Sequence, residues 1–173
     1  MVDAIVYAVE PGASKVRFKI GHKGSAMTCE FTKFSGAIHI DPNSESSVAA
    51  LMDGSYFNVA SSSLESGLGS TADGIATWNM DSTKYPTFTC KLNPVAADIA
   101  AEDRTGLVTI RDVTKEEVFT VHLDSDFKAG QEQLKMQVTA TIKRLDYGVN
   151  PMWPTMMLGD EIRLEADLVA ILL

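Results

Sequence analysis

The sequence predicts an all-β antiparallel fold of about eight strands with one short helix. Three observations predict it: apolar residues recur at every second position, turn-forming clusters separate those stretches, and no long helix lies between them to make parallel crossovers. Alternation places successive side chains on opposite faces of a strand, so each stretch has an inner and an outer surface. The pattern leaves a closed barrel and a two-sheet sandwich both open.

Taken in order, KVRFKI sets Val16, Phe18 and Ile20 against Lys15, Arg17 and Lys19, a half-buried strand. The next run carries Cys29 and Phe31, then Phe34, Gly36, Ile38 and Ile40. The phase changes at Thr32 and Lys33, as a bulge or sharp bend requires. A weaker strand is expected from Val48 to Val59. Ser70 and Asp73 have the spacing of a helix start, and Ile75 and Trp78 lie three apart, which places the short helix from about Ala72 to Met80. Further strands are expected at Thr87 to Leu92, Leu107 to Val113 and Glu117 to Leu123. Between the first two, VAADIAA suits a helical turn or a strand extension equally.

LKMQVTATI alternates for longest, with Leu134, Met136, Val138, Ala140 and Ile142 on one face. EIRLEADL repeats the pattern with Ile162, Leu164, Ala166 and Leu168. The apolar run Val169 to Leu173, if exposed, would suit contact with a partner or closure of a homodimer, and the sequence leaves this open.

Residues 1–173 have the length of one domain. Apolar residues make up 45% and charged ones 22%, and no apolar stretch reaches the roughly 20 residues of a membrane helix. A net charge of -8 argues against nucleic-acid binding, which depends on clustered Lys and Arg. No basic start and apolar run precede a cleavage site, so the expectation is a cytoplasmic protein, or a periplasmic or secreted one whose leader preceded residue 1. Cys29 and Cys90 fit neither a zinc pattern nor a disulfide scaffold and read as small apolar residues.

Six segments, in order, are YAVEPGASKVRFKIGH, CEFTKFSGAIHIDP, DSTKYPTFTC, GLVTIRDVTKEEV, ATIKRLDYGV and LGDEIRLEADL. Together they resemble the YceI-like family from about Tyr7 to Leu168. The resemblance implies a lipocalin-like closed barrel whose tunnel holds a polyisoprenoid, an isoprenoid quinone or another long lipid, and it implies binding, storage or transport rather than catalysis. An eight-stranded barrel is wide enough for one slender guest. Many relatives carry an Arg and a His-Leu pair before KYP, where this chain reads LGSTADGIATWNMDSTKYP, so a head-group contact is altered or missing. Asp112 stands where the family usually has Gly, a change in a turn.

On this reading Val16, Phe18, Phe34, Ile38, Trp78, Phe88, Val108, Ile110, Met136, Val138, Ile142 and Leu164 line the tunnel. Alternation alone favours a filled core for the same residues; the resemblance favours a hollow one. PMWPTMML gathers Met152, Trp153, Met156, Met157 and Leu158 in a segment that two prolines keep irregular. Its flexible thioethers suit a mouth or lid, a loop that packs down is an equal reading, and a copper site is the weakest because no histidine accompanies them. His22, Arg144 and Tyr147 are candidate head-group contacts near the mouth, although a structural pairing of Arg144 with Asp146 competes. His22, His39 and His122 have no ligand spacing, and no metal or other cofactor is expected beyond a bound lipid. Ser61, Ser62 and Ser63 form a serine-rich turn without a nucleophile elbow, and no phosphate loop or zinc-protease motif is present. The alternatives to a carrier are an enzyme acting on a lipid and a filled structural barrel.

Overall fold

The computed structural model describes residues 3–22, 25–44, 48–65, 67, 83–95, 101–124, 126–149 and 158–173. Among the described residues eleven strand segments form one sheet: β1 (Ile5–Val9), β2 (Lys15–His22), β3 (Ser25–Phe31), β4 (Phe34–Ile40), β5 (Tyr56–Ala60), β6 (Leu64–Glu65), β7 (Thr87–Leu92), β8 (Asp103–Ile110), β9 (Val113–Leu123), β10 (Gln133–Lys143) and β11 (Leu158–Leu172). The order β1, β4, β5, β7, β8, β9, β10, β11 closes into a ring because β11 also pairs with β1. β2, β3 and β6 continue β1, β4 and β5 beyond kinks, so the segments amount to an eight-stranded antiparallel barrel. The barrel, rather than the sandwich, is therefore the fold.

Each kink has a local cause. Pro11 fixes its own φ and lacks an N–H, so the ladder breaks between β1 and β2 and a 3-10 turn forms at Pro11–Ala13. Ser14 repairs it: its Oγ accepts from Val169 N at 2.9 Å and donates to Val169 O at 3.2 Å. The bend expected at Thr32 and Lys33 separates β3 from β4. Lys33 O accepts from Ala60 N at 2.9 Å, and Thr32 N donates to Ser63 O at 3.1 Å. The serine-rich run is a hinge between β5 and β6: Ser61 Oγ donates to Tyr85 O (2.8 Å) and Ser63 Oγ to Ala60 O (2.7 Å). Gly36 is needed for packing, since a Cβ there would stand 2.7 Å from the Phe57 ring and 2.8 Å from Tyr56 O.

Several expectations are corrected. Val48 to Val59 is not a strand throughout: Val48–Ala50 is a 3-10 turn and β5 starts at Tyr56. The carbonyls of Val48 and Leu51 turn instead toward Arg104, which donates to them at 3.0 and 2.5 Å. β8 and β9 begin earlier than their apolar runs, and β11 runs from Leu158 far beyond EIRLEADL. Val169 to Leu172 is part of that strand: Ala170 is wholly buried and pairs with Val9 and Leu134, while Ile171 and Leu173 are exposed. The helix expected at Ala72 to Met80 lies outside the described residues, as does most of VAADIAA. No helix among the described residues is long and apolar enough to cross a membrane.

The core occupies the ring's interior. Along β10, Leu134, Ala140 and Ile142 are buried while Lys135, Gln137, Thr141 and Lys143 are exposed, the alternation the sequence shows. At one end Tyr7, Ile40, Leu134 and Phe127 pack without solvent contact or nearly so. Tyr7 meets Phe127 edge to face, with ring centres 5.9 Å apart, and its hydroxyl donates to Gln131 O at 2.7 Å. On the outside, β2 and β11 carry the ion pairs Arg17–Asp167 (2.6 Å) and Lys19–Glu165 (3.7 Å), which in solvent contribute little to stability.

Candidate functional site: an apolar cavity inside the barrel

Inside the ring lies a cavity of about 240 Å³ whose wall is almost entirely apolar. β2 contributes Val16 and Phe18, β4 Ile38, β7 Phe88, β8 Val108 and Ile110, β10 Met136, Val138 and Ile142, and β11 Leu164. These side chains share the inner face because antiparallel partners in register point the same way: Val138 sits opposite Val121 and Ala166, and Phe18 opposite Leu164. Phe34 is not on the wall. It packs against Phe57, which is, with ring centres 5.6 Å apart. Trp78, Trp153, Met156 and Met157 lie outside the described residues.

The wall includes residues that the sequence reading did not select. Phe31, Ala140, Ala166 and Leu168 belong to stretches whose alternation had already marked them, so extending the inner face would have found them. Leu51 and Val149 come from turns, where period two says nothing. Cys90 is also on the wall, and burial pushes its thiol from the ordinary 9.0 up to about 12. Ser55 reaches the wall with its Oγ already accepting from His39 N at 2.9 Å.

A buried cation was missed altogether. Arg104 occupies an inward position of β8, two residues before Gly106 and four before Val108, and is 1% exposed. Its guanidinium donates to the carbonyls of Val48, Leu51 and Asn93. Burial draws its pKa below the ordinary arginine value, with Asp53 opposing that shift. The parity of β8 could have revealed it, but a search for apolar faces passes over a charged residue.

At the opposite end of the barrel β9 and β10 diverge. They pair only where Thr120 to Leu123 meets Thr139 to Met136. The 3-10 turn Arg144–Tyr147 follows β10 there, with Tyr147 1% exposed and its hydroxyl donating to Glu117 of β9 at 2.7 Å. Burial first, then that bond and the Glu117 charge, raise the Tyr147 pKa. Arg144 is wholly buried and donates to the carbonyls of Gly159 (3.0 Å) and Val149 (3.1 Å), while Arg111 donates to Gly148 O. Neither Arg144 nor Tyr147 is on the cavity wall; they fasten the turn that carries Val149 onto it. His22 ends β2 in register with Ser25 and Leu158, and its side chain lies outside the described part.

A family model described as YceI-like domain matches residues 7–170. The chain belongs to the YceI-like family. Solved structures agree on the fold of this YceI-like domain. BcnA from Burkholderia cenocepacia superposes with a TM-score of 0.77 at 20% identity, covering 93% of this chain and 98% of BcnA. A polyisoprenoid binding domain from Saccharophagus degradans, implicated in plant cell wall breakdown, gives 0.73 at 15% identity, covering 98% of this chain and 99% of its own. The YceI protein of Campylobacter jejuni gives 0.69 at 24% identity, with 83% of each chain covered. A search of curated proteins gave no match.

The Cys90 shift makes the YceI-like cavity testable by pH. Native protein at pH 8 is expected to leave Cys90 unalkylated by iodoacetamide for times that label the urea-unfolded chain fully, peptide mapping separating it from Cys29. Because the folded pKa lies above the unfolded one, the thiol's contribution to stability is intact below pH 9.0 and is lost as pH rises toward about 12. Rapid labelling of native Cys90 at pH 8 would show a solvated thiolate and hence a wet cavity.

Proposed function

We propose that this YceI-like barrel binds and carries one long, slender apolar molecule in its interior, a polyisoprenoid, an isoprenoid quinone or a fatty-acid derivative. The observation that supports the reading most directly is the cavity itself: an interior built to be only a core would not leave about 240 Å³ unfilled behind an apolar wall. A guest burying several hundred Å² there gains on the order of 10 kcal/mol at about 25 cal/mol per Å², part of which offsets the ordering of its chain. Affinity then follows the length of the chain, and the head group contributes less. The Saccharophagus degradans domain is a polyisoprenoid binder by its description, which supports the same class of guest.

Holding rather than transforming the guest is supported by how the nucleophile-bearing side chains are engaged. Ser61 and Ser63 donate their hydroxyls to backbone carbonyls in the β5–β6 hinge, and Cys90 is held as a neutral thiol. To test the reading, protein purified without detergent is extracted with organic solvent and the extract analysed by mass spectrometry. A stoichiometric long-chain lipid is the expected result. Lipid-free protein that also fails to take up added long-chain quinones or fatty alcohols would overturn it.

A further inference from the structure

The cavity has a floor, and the floor is built around the buried cation. In three wall strands the inward residue lining the cavity is followed, one step toward the Tyr7 end, by an inward residue that is fully or almost fully buried and off the wall: Ile38 by Ile40, Met136 by Leu134, Leu168 by Ala170. Across that end runs the Val48–Leu51 turn, and Leu51 is its residue on the wall. Two sets of bonds hold the turn in place. Met52 N donates to His39 O (2.8 Å) and Asp41 N to Ala50 O (2.9 Å), sewing it to the end of β4. From the other side Arg104 takes the carbonyls of Val48 and Leu51. Toward the other end the wall continues to Ile110, Ile142 and Val149, beside the diverging strands.

We infer that Leu51 is the stop that sets how long a chain the barrel accepts, and that Arg104 is the positioning residue that keeps it there. The inference rests on the carrier reading and deepens it: the guest lies tail-first, with its apolar end against Leu51 and its polar end at the Val149 side. Arg104 turns three of its donors to backbone carbonyls and is not on the cavity wall, although its Nε has no partner among the described residues, so the floor that meets a guest is the apolar Leu51. A fixed floor makes selection a matter of length. Each methylene that finds room raises affinity about fourfold, and one that does not find room adds nothing.

The test uses the full chain stripped of lipid, a solvatochromic naphthalene dye as the reporter, and saturated straight-chain alcohols of increasing length as competitors. Displacement by the unaltered protein is expected to strengthen about fourfold per methylene and then level off. Leu51→Ala is expected to move the levelling point about two methylenes longer, into the space its side chain vacates. Arg104→Met, which frees the turn, is expected to blur or lengthen the cut-off; Leu51→Ala decides the matter if that variant does not fold. An unmoved cut-off in Leu51→Ala, alongside good binding, overturns the stop and leaves the carrier reading standing. Failure of every alcohol to displace dye from the unaltered protein overturns both.

Discussion

Val138→Trp is expected to abolish capture of a long apolar guest while leaving the barrel folded. Val138 sits in the middle of β10, opposite Val121 on one side and Ala166 on the other, and all three are on the cavity wall. An indole there occupies much of the 240 Å³ that a guest would need. Overpacking a filled core costs about 1–3 kcal/mol, but here the added atoms enter empty space, so the penalty is expected at the low end or below. Dye displacement and co-purified lipid should both fall by at least about tenfold, a difference of 1.4 kcal/mol, while the circular dichroism spectrum stays that of a β-barrel. Guest capture that survives the substitution would place the guest elsewhere on the molecule.

Tyr7→Ala is expected to produce the largest loss of stability, about 4 kcal/mol, since removing a buried aromatic ring costs about 3–5 kcal/mol. Tyr7 has no solvent exposure, its ring meets Phe127, and its hydroxyl joins Gln131 O and Gly130 N, tying the β9–β10 loop to β1. The companion Tyr7→Phe keeps the ring and is expected to lose only about 1 kcal/mol, plus part of the desolvation penalty of Gln131 O. Urea unfolding curves measure both. Near-equal losses for the two variants would show that the hydroxyl, rather than the ring, secures this end.

Part of the wall was legible because period-two alternation is a property of a strand and survives any change in its neighbours. Val16 and Phe18, or Met136, Val138 and Ile142, need no knowledge of the ring to be assigned a face. The bend at Thr32 and Lys33 was visible for the same reason, as a slip in phase. The Val48 to Val59 stretch misled because its apolar content suits a strand, while its backbone is drawn away by an arginine more than fifty positions later. Such a contact leaves no local trace. Arg104 itself was hidden because an inward face is found by its grease, and a cation buried among carbonyls breaks that rule. Leu51 and Val149 reach the cavity from turns, whose direction depends on what anchors them. That the inside is hollow was not in the pattern at all, since a packed and an empty barrel share the same alternation.

The pairing of β1 with β11 has a consequence for how the molecule is made. Tyr7 finds its partner in Leu172, and Leu173 N donates to Val6 O at 3.1 Å. A ribosome must therefore deliver residues near 172 before the ring can shut, and until it does β1 presents a bare strand edge and a half-built greasy trough to the cell. Contacts so distant along the chain form late and slowly, and an open edge of this kind invites other chains to add to it. The arrival of β11 is thus the step that takes the half-built ring out of danger.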